Sequence, residues 1–200
     1  MSGGPLVLAD KIEITGSNMA HSKKEVEFRA INIAILTVSD TRTAQTDSSG
    51  DLLQQEVEQA GHVVIKRAIV IDDIYKLRAC ASTWIADSDI HAILITGGTG
   101  FTSRDSTPEA MIPLFDKQID GYGELFRSIS YQDIGTSTIQ SRAVAGVANR
   151  KVIFCMPGSP NACRTAWQKI ICQQLDVRHK PCNFVEMVMP SNDVSCQTRD

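Results

Sequence analysis

The sequence predicts a three-layer α/β/α sandwich on a mostly parallel sheet, and three observations carry that expectation. Strand-sized apolar runs alternate with amphipathic helical stretches, the pattern of βαβ units joined by right-handed crossovers. The first run, 31–38, is nearly continuous in Ile, Val, Leu and Ala, as a strand buried on both faces requires. Polar and glycine-rich turns follow the runs, and in an open parallel sheet such turns gather at the carboxyl edge.

The elements follow in order. Residues 1–30 mix Gly, Ser, Lys and Glu without an apolar period and read as a flexible N-terminal arm. Met19 stands shortly before the first strand, so 1–18 is either a leader foreign to the natural protein or a natural extension. The domain itself is expected over 31–180. In 51–60, Leu52, Leu53, Val57 and Ala60 have helical spacing, with Gly61 as the stop. A second strand, 63–71, leads to a helix capped by Asp72 or Asp73 and running to Ala86, with Leu77, Ala81, Trp84 and Ile85 on its apolar side. Residues 92–96 make a third strand. Helices are expected over 109–115, with Pro113 kinking or ending it, and over 124–130. Strands 142–148 and 152–155 join through Asn149-Arg150, a helix over 161–175 closes the domain, and 181–200 reads as a loose tail.

Composition narrows the function. A formal charge of −3 offers no basic face for nucleic acid or an anionic membrane. No apolar run approaches the roughly 20 residues of a membrane-spanning helix. The 6 cysteines form no CxxC pair, which suits reduced thiols in a cytoplasmic protein. The 4 histidines are scattered, so no tightly bound structural metal is expected.

The turns after the strands carry the candidate chemistry: Ser39-Asp40-Thr41-Arg42, Asp72-Asp73, Thr96-Gly97-Gly98-Thr99-Gly100, and Pro157-Gly158-Ser159-Pro160-Asn161. Gly97, Gly98 and Gly100 let the backbone approach a ligand, and their N–H groups can form an anion nest suited to phosphate; a merely flexible loop is the plainer alternative. The GxGxxG fingerprint fails because Ser103 stands at its third glycine, and no GxxxxGK[ST] loop occurs. Thr107 suits an N-cap with Pro108 at the first helical position. Arg104 could hold a phosphate bidentately and Asp105 a magnesium ion, against the commoner alternative of a surface ion pair. Asp72 or Asp73 is either a helix cap or a second carboxylate sharing a metal with Asp105. Ser159 and Pro160 open another helix start able to bind an anion. Trp167 reads as core, and Cys155 and Cys163 as buried small hydrophobes.

The strand-turn block 33–40, the continuous block from Thr96-Gly97-Gly98-Thr99-Gly100 through Arg104-Asp105-Ser106-Thr107-Pro108-Glu109-Ala110, the segment Gly121-Tyr122-Gly123-Glu124 and the turn Pro157-Gly158-Ser159-Pro160 resemble the MoaB/Mog family of molybdenum cofactor proteins. The likeness runs from about Ile31 to Val188, and the stretch 135–146 looks most like the family's B branch. The resemblance implies a molybdopterin-binding fold, usually trimeric and in some members a dimer of trimers. It implies adenylylation of molybdopterin by ATP with Mg²⁺ and release of pyrophosphate. Some B-branch members are degenerate after the glycine loop and bind without reacting, but Arg104, Asp105, Thr107 and Pro108 are all present here. By motif position Asp105 and Asp72 match the catalytic, magnesium-binding carboxylates. Gly97, Gly98, Thr99 and Gly100 would cradle phosphates, and Ser39, Asp40, Arg104, Thr107, Glu124, Pro157, Gly158 and Ser159 would line the pocket. The alternative function is a non-catalytic molybdopterin carrier of the same pathway.

Overall fold

A computed structural model describes residues 26–189. The expected leader 1–18 and most of the arm lie outside the described residues, as does the tail beyond residue 189.

The sheet has six strands in the order β2-β1-β3-β6-β5-β4: β1 (Asn32–Val38), β2 (Val63–Val70), β3 (Ala92–Thr96), β4 (Lys117–Gln118), β5 (Val144–Ala148) and β6 (Lys151–Met156). The pairs β1–β2, β1–β3 and β3–β6 are parallel, and β6–β5 and β5–β4 antiparallel. β4 is two residues long, too short to carry a period, and the sequence reading missed it.

The alternation of the strands builds two cores. Ile33 and Ile35 of β1 pack with Leu53 and Val57 of α1 (Ser48–Gln59) and with Cys163, Ala166 and Trp167. Ala34, Leu36 and Val38 face the other way, onto Leu77 and Ala81 of α2 (Ile74–Ala86) and Ala110 and Met111 of α3 (Thr107–Met111). The three layers therefore follow from the period-2 direction of side chains on a sheet covered on both faces. Trp167 is 1% exposed in the first of these cores, so it is core, as its type suggests.

Local details differ where tertiary packing overrides local preference. The helix expected at 124–130 is α4, Asp120–Ile134. Its two early glycines argue against helix locally, but a Cβ on Gly123 would meet Ala143 O at 2.4 Å, so close packing explains that residue. The segment expected as helix to Phe115 stops as α3 at Met111, with a 3-10 turn over Ile112–Leu114 around Pro113. The last helix is α5 (Pro160–Ala166), a π-helical stretch Trp167–Ile171, and α6 (Cys172–Gln174). Asn149 and Arg150 both have positive φ, 44° and 61°, the left-handed pair that turns a two-residue hairpin.

Within the described residues, side chains from the last part of the expected arm and the first part of the expected tail pack onto the domain. Phe28 lies 5.1 Å, ring to ring, from His62 and under the Arg178 guanidinium. From the other end, α7 (Val185–Val188) buries Val185 and Val188 in the first core. Elements this short carry too few apolar side chains to show a period, yet those side chains find existing apolar surface.

The start of β1 rests on two histidines. His62 Nδ1 accepts from Ile31 N at 3.3 Å, and His91 Nδ1 accepts from Asn32 N at 2.9 Å. Burial lowers the pKa of His62 against the opposing charge of Asp176, and burial with the Lys151 and Arg29 charges lowers that of His91 against Asp89. A depressed folded-state histidine contributes stability above its unfolded pKa and loses it as pH falls through the folded one. Thermal stability is therefore expected to drop as pH falls from about 7 to about 5, with a shallower slope in His62→Gln; identical slopes in differential scanning calorimetry would refute the role of His62.

Candidate functional site

The chain leaves β1 to one side for β2, then crosses to the other side for β3, so the strand order reverses at β1. Ligand crevices in open α/β sheets form outside the carboxyl ends of the strands at that point. Here the ends of β1, β3 and β6 open into a cavity of about 470 Å³ lined by Thr37, Ser39, the Gly97–Gly100 loop, Asp105, and the Pro157–Ser159 turn, closed opposite by α4 and the 3-10 segment Gly135–Gln140.

The glycine loop is held from three sides. Gly97 and Gly98 have φ of 102° and 64°, backbone that L side chains rarely adopt. A Cβ on Gly97 would stand 2.2 Å from Val38 O, and one on Gly158 would stand 3.1 Å from Gly97 Cα, so the three turns touch through bare backbone. Gly97 N donates to Met156 O at 3.0 Å, whereas the amides of Gly98 and Thr99 take no backbone acceptor among the described residues. Two free N–H groups beside a crevice are the elements of an anion nest.

Thr107 was expected as an N-cap and is instead the first residue of α3, after Ser106. Its hydroxyl donates to Gly97 O at 2.8 Å and its N–H to Gly98 O at 2.9 Å. The buried loop carbonyls need donors more than the helix needs a cap.

The neighbouring aspartates separate in role. Asp73 caps α2, accepting from Tyr75 N and Lys76 N. Asp72 is free of that duty: its Oδ1 accepts from Ser106 N at 3.0 Å and from the Ser106 hydroxyl. Its Oδ2 would be 2.5 Å from a Cβ on Gly98. Burial raises the Asp72 carboxyl above its ordinary range against the Ser106 hydrogen bonds, and the charges of Asp105 and Asp40 add to the rise. The Asp105 carboxylate stands against Gly100 and accepts from Thr102 N at 2.8 Å. For Asp105, burial acts upward, but the bonds from Thr102 and Gly100 and the Arg142 charge leave it lowered. The two carboxylates thus flank the same glycine loop.

Other expected residues are placed differently. Arg104 does not reach into the crevice; it pairs with Asp40 through Nε–Oδ2 at 2.9 Å and Nη2–Oδ1 at 2.8 Å, with its side chain 59% exposed. That bidentate bond lowers the Asp40 carboxyl, helped by the Asp72 N–H. None of Asp40, Asp72, Arg104 and Thr107 lines the cavity: Asp72 and Thr107 are buried against the glycine loop, and Asp40 and Arg104 stand at the surface. Glu124 is exposed on α4 and lines a separate crevice with Asp120 and Arg127, because the helix turns that face away from the sheet's carboxyl edge. Ser159 caps α5 through Ala162 N at 3.2 Å while facing the cavity.

Arg42, which the sequence offered only as the end of the polar turn after β1 and without a role, faces the cavity with its guanidinium tied to Thr46 O and Ser48 Oγ. The sequence reading missed Ser130, Ser137 and Ser141 on the opposite wall. The polar run after α4 was the available signal, but it carries no period. Cys155 and Cys163 are buried, and burial pushes the Cys163 thiol up to about 11, so neither is an activated nucleophile.

Comparison with known proteins places the chain in a family and a fold. A family described as "Probable molybdopterin binding domain" matches residues 34–177. Molybdenum cofactor biosynthesis protein B of Escherichia coli K12 is 55% identical over 163 residues, covering 82% of this chain and 96% of that protein. A crystal structure of a molybdenum cofactor biosynthesis protein B superposes with a TM-score of 0.72 at 46% identity, over 74% of this chain and 92% of the other. The tungsten cofactor synthesizing protein MoaB from Pyrococcus furiosus superposes with a TM-score of 0.64 at 34% identity, over 71% and 91%.

Proposed function

This chain belongs to the molybdopterin-binding MoaB/Mog family of molybdenum cofactor biosynthesis, and from that premise we propose that it binds molybdopterin in the crevice and adenylylates it with ATP. The observation that carries the reading is Asp72: released from capping by Asp73, it is buried against the glycine loop that Asp105 flanks at its other end. A buried carboxylate with a raised pKa, beside free amides in a crevice, is an arrangement that folding alone does not call for.

The reaction is an in-line displacement. An oxygen of the terminal phosphate of molybdopterin attacks the α-phosphorus of ATP. The new P–O bond forms as the bond to the β-phosphate's bridging oxygen breaks, and pyrophosphate leaves with that electron pair. Such a reaction needs positioning and charge neutralisation more than covalent help. The Gly98 and Thr99 amides and the Arg42 guanidinium would bind phosphate oxygens, and Ser39 and Ser159 would orient the substrates across the crevice.

Two carboxylates that flank the glycine loop, Asp72 from the turn after β2 and Asp105 from the turn after β3, would suit a magnesium ion that takes its other ligands from water and phosphate; among the described residues there is no cluster of three or more metal-binding side chains. Asp72 and Asp105 would hold the ion, which supplies neutralisation of the triphosphate charge.

A second reading, a carrier that binds without reacting, draws on the Asp105 hydrogen bond to Thr102 N, which would make that carboxylate a turn-closing group. Purified protein supplied with molybdopterin, ATP and Mg²⁺ separates the two: pyrophosphate release supports the enzyme, and tight binding without release supports the carrier. We further propose assembly as a homotrimer, or as a dimer of trimers, on the strength of the family and of the exposed Leu125, Tyr131, Ile134 and Ile139 on and after α4. No described helix is long and apolar enough to cross a membrane.

A further inference from the structure

Arg142 stands 42 residues beyond Gly100, at the entry to β5, yet its bonds converge on the glycine loop and its continuation. Its main-chain N–H donates to Thr99 O at 3.1 Å. Its Nε donates to Gly100 O at 2.8 Å, and its Nη2 donates to Asp105 O at 3.1 Å. The remaining arm is paired with the Glu109 carboxylate, and the guanidinium carbon lies 5.1 Å from the Phe101 ring centroid. The side chain is 22% exposed and stays outside the crevice lining.

The loop's own bonds do not do this work. Asp105 N to Thr102 O and Thr102 N to Asp105 Oδ2 close the turn upon itself. The Arg104–Asp40 pair joins it to β1 at the surface, where an ion pair is worth little. One planar guanidinium spans the turn, gripping the carbonyl of its first residue and that of Asp105 at a spacing set by covalent geometry.

We infer that Arg142 is a positioning residue for the adenylyl transfer: its fork sets where the Asp105 carboxylate stands relative to the Gly98 and Thr99 amides. The inference rests on the adenylylation reading for its kinetic consequence, and on the loop geometry for its structural one. A lysine at this place keeps the charge but is a point donor on a flexible stem and cannot hold both carbonyls in one plane.

The test is Arg142→Lys, measured by kinetics and by amide hydrogen exchange. The expected result is a fall of kcat by about 10- to 100-fold with the KM for ATP little changed. Exchange should be faster in 100–106 only, and added guanidinium ion should restore part of kcat in Arg142→Ala. Wild-type kcat together with wild-type loop exchange overturns the inference. So does a loss of protection spread evenly over the sheet, which makes Arg142 a general prop of the fold. If the wild-type protein itself releases no pyrophosphate, the adenylylation reading fails separately. The exchange data then decide alone: loosening confined to 100–106 supports the positioning role, and unchanged exchange overturns it.

Discussion

Replacing Asp105 with Asn is expected to slow pyrophosphate release by about 10²- to 10³-fold while leaving the protein folded. In the proposed reaction charge builds on the oxygens around the α-phosphorus as the displacement proceeds, and a magnesium ion held by Asp72 and Asp105 would neutralise it. An amide in place of the carboxylate removes a formal charge from that ion's ligands. The substitution is gentle otherwise, because an Asn oxygen can still accept from Thr102 N, the bond that Asp105 makes at 2.8 Å. Asp72→Asn is expected to act in the same direction. It removes a charge that burial disfavours, and its oxygen can still accept from Ser106 N, so the fold is not expected to weaken at neutral pH. Steady-state pyrophosphate release with circular dichroism on the same samples checks both. If Asp105→Asn turns over at the wild-type rate, that carboxylate closes a turn and takes no part in the chemistry.

The largest effect on stability is expected at Asp47, away from the reacting groups. Asp47 precedes α1 and is 1% exposed. Its carboxylate accepts from the Thr37 hydroxyl at 2.8 Å, from Gly50 N at 3.0 Å and from Arg67 at 3.1 Å. It therefore joins β1, the first turn of α1 and β2 at one buried point. Gly50 is needed there, since a Cβ would stand 2.1 Å from the carboxylate. Asp47→Ala removes a helix cap and leaves buried donors without a partner, at a cost of about 3 kcal/mol. Asp47→Asn keeps an acceptor and should lose less. Urea denaturation gives both values, and a loss under about 1 kcal/mol for the alanine variant would mean that water replaces the carboxylate at that point. Because Thr37 also lines the crevice, a weakened anchor should reduce ligand affinity as well as stability.

The layered fold was legible because its signal is local and repeated. Nearly continuous apolar runs along β1, β3 and β6 mark strands buried on both faces, and helical spacing along α1 and α2 marks the buried side of each helix. The place of the crevice followed from topology, since turns after parallel strands must meet at one edge. The spacing in Gly97-Gly98-Thr99-Gly100 carried the glycine loop, because backbone with positive φ is restricted mainly to that residue type.

Partner choice was not legible, and the particular errors share one cause. Nothing in the sequence says that Asp73 caps α2 and Asp72 turns to Ser106, because the two differ only in which neighbour lies 34 residues away. Thr107 gives its hydroxyl to Gly97, Arg104 is taken by Asp40, and Glu124 is carried by α4 to another crevice. Arg142 serves a loop it is remote from in sequence. Sequence by itself determined the layers, the edge and the loop, because these depend on period and backbone conformation within a few residues. Tertiary structure alone decided which polar groups meet, because a buried donor or acceptor must be satisfied by whatever group the finished packing brings within hydrogen-bond reach.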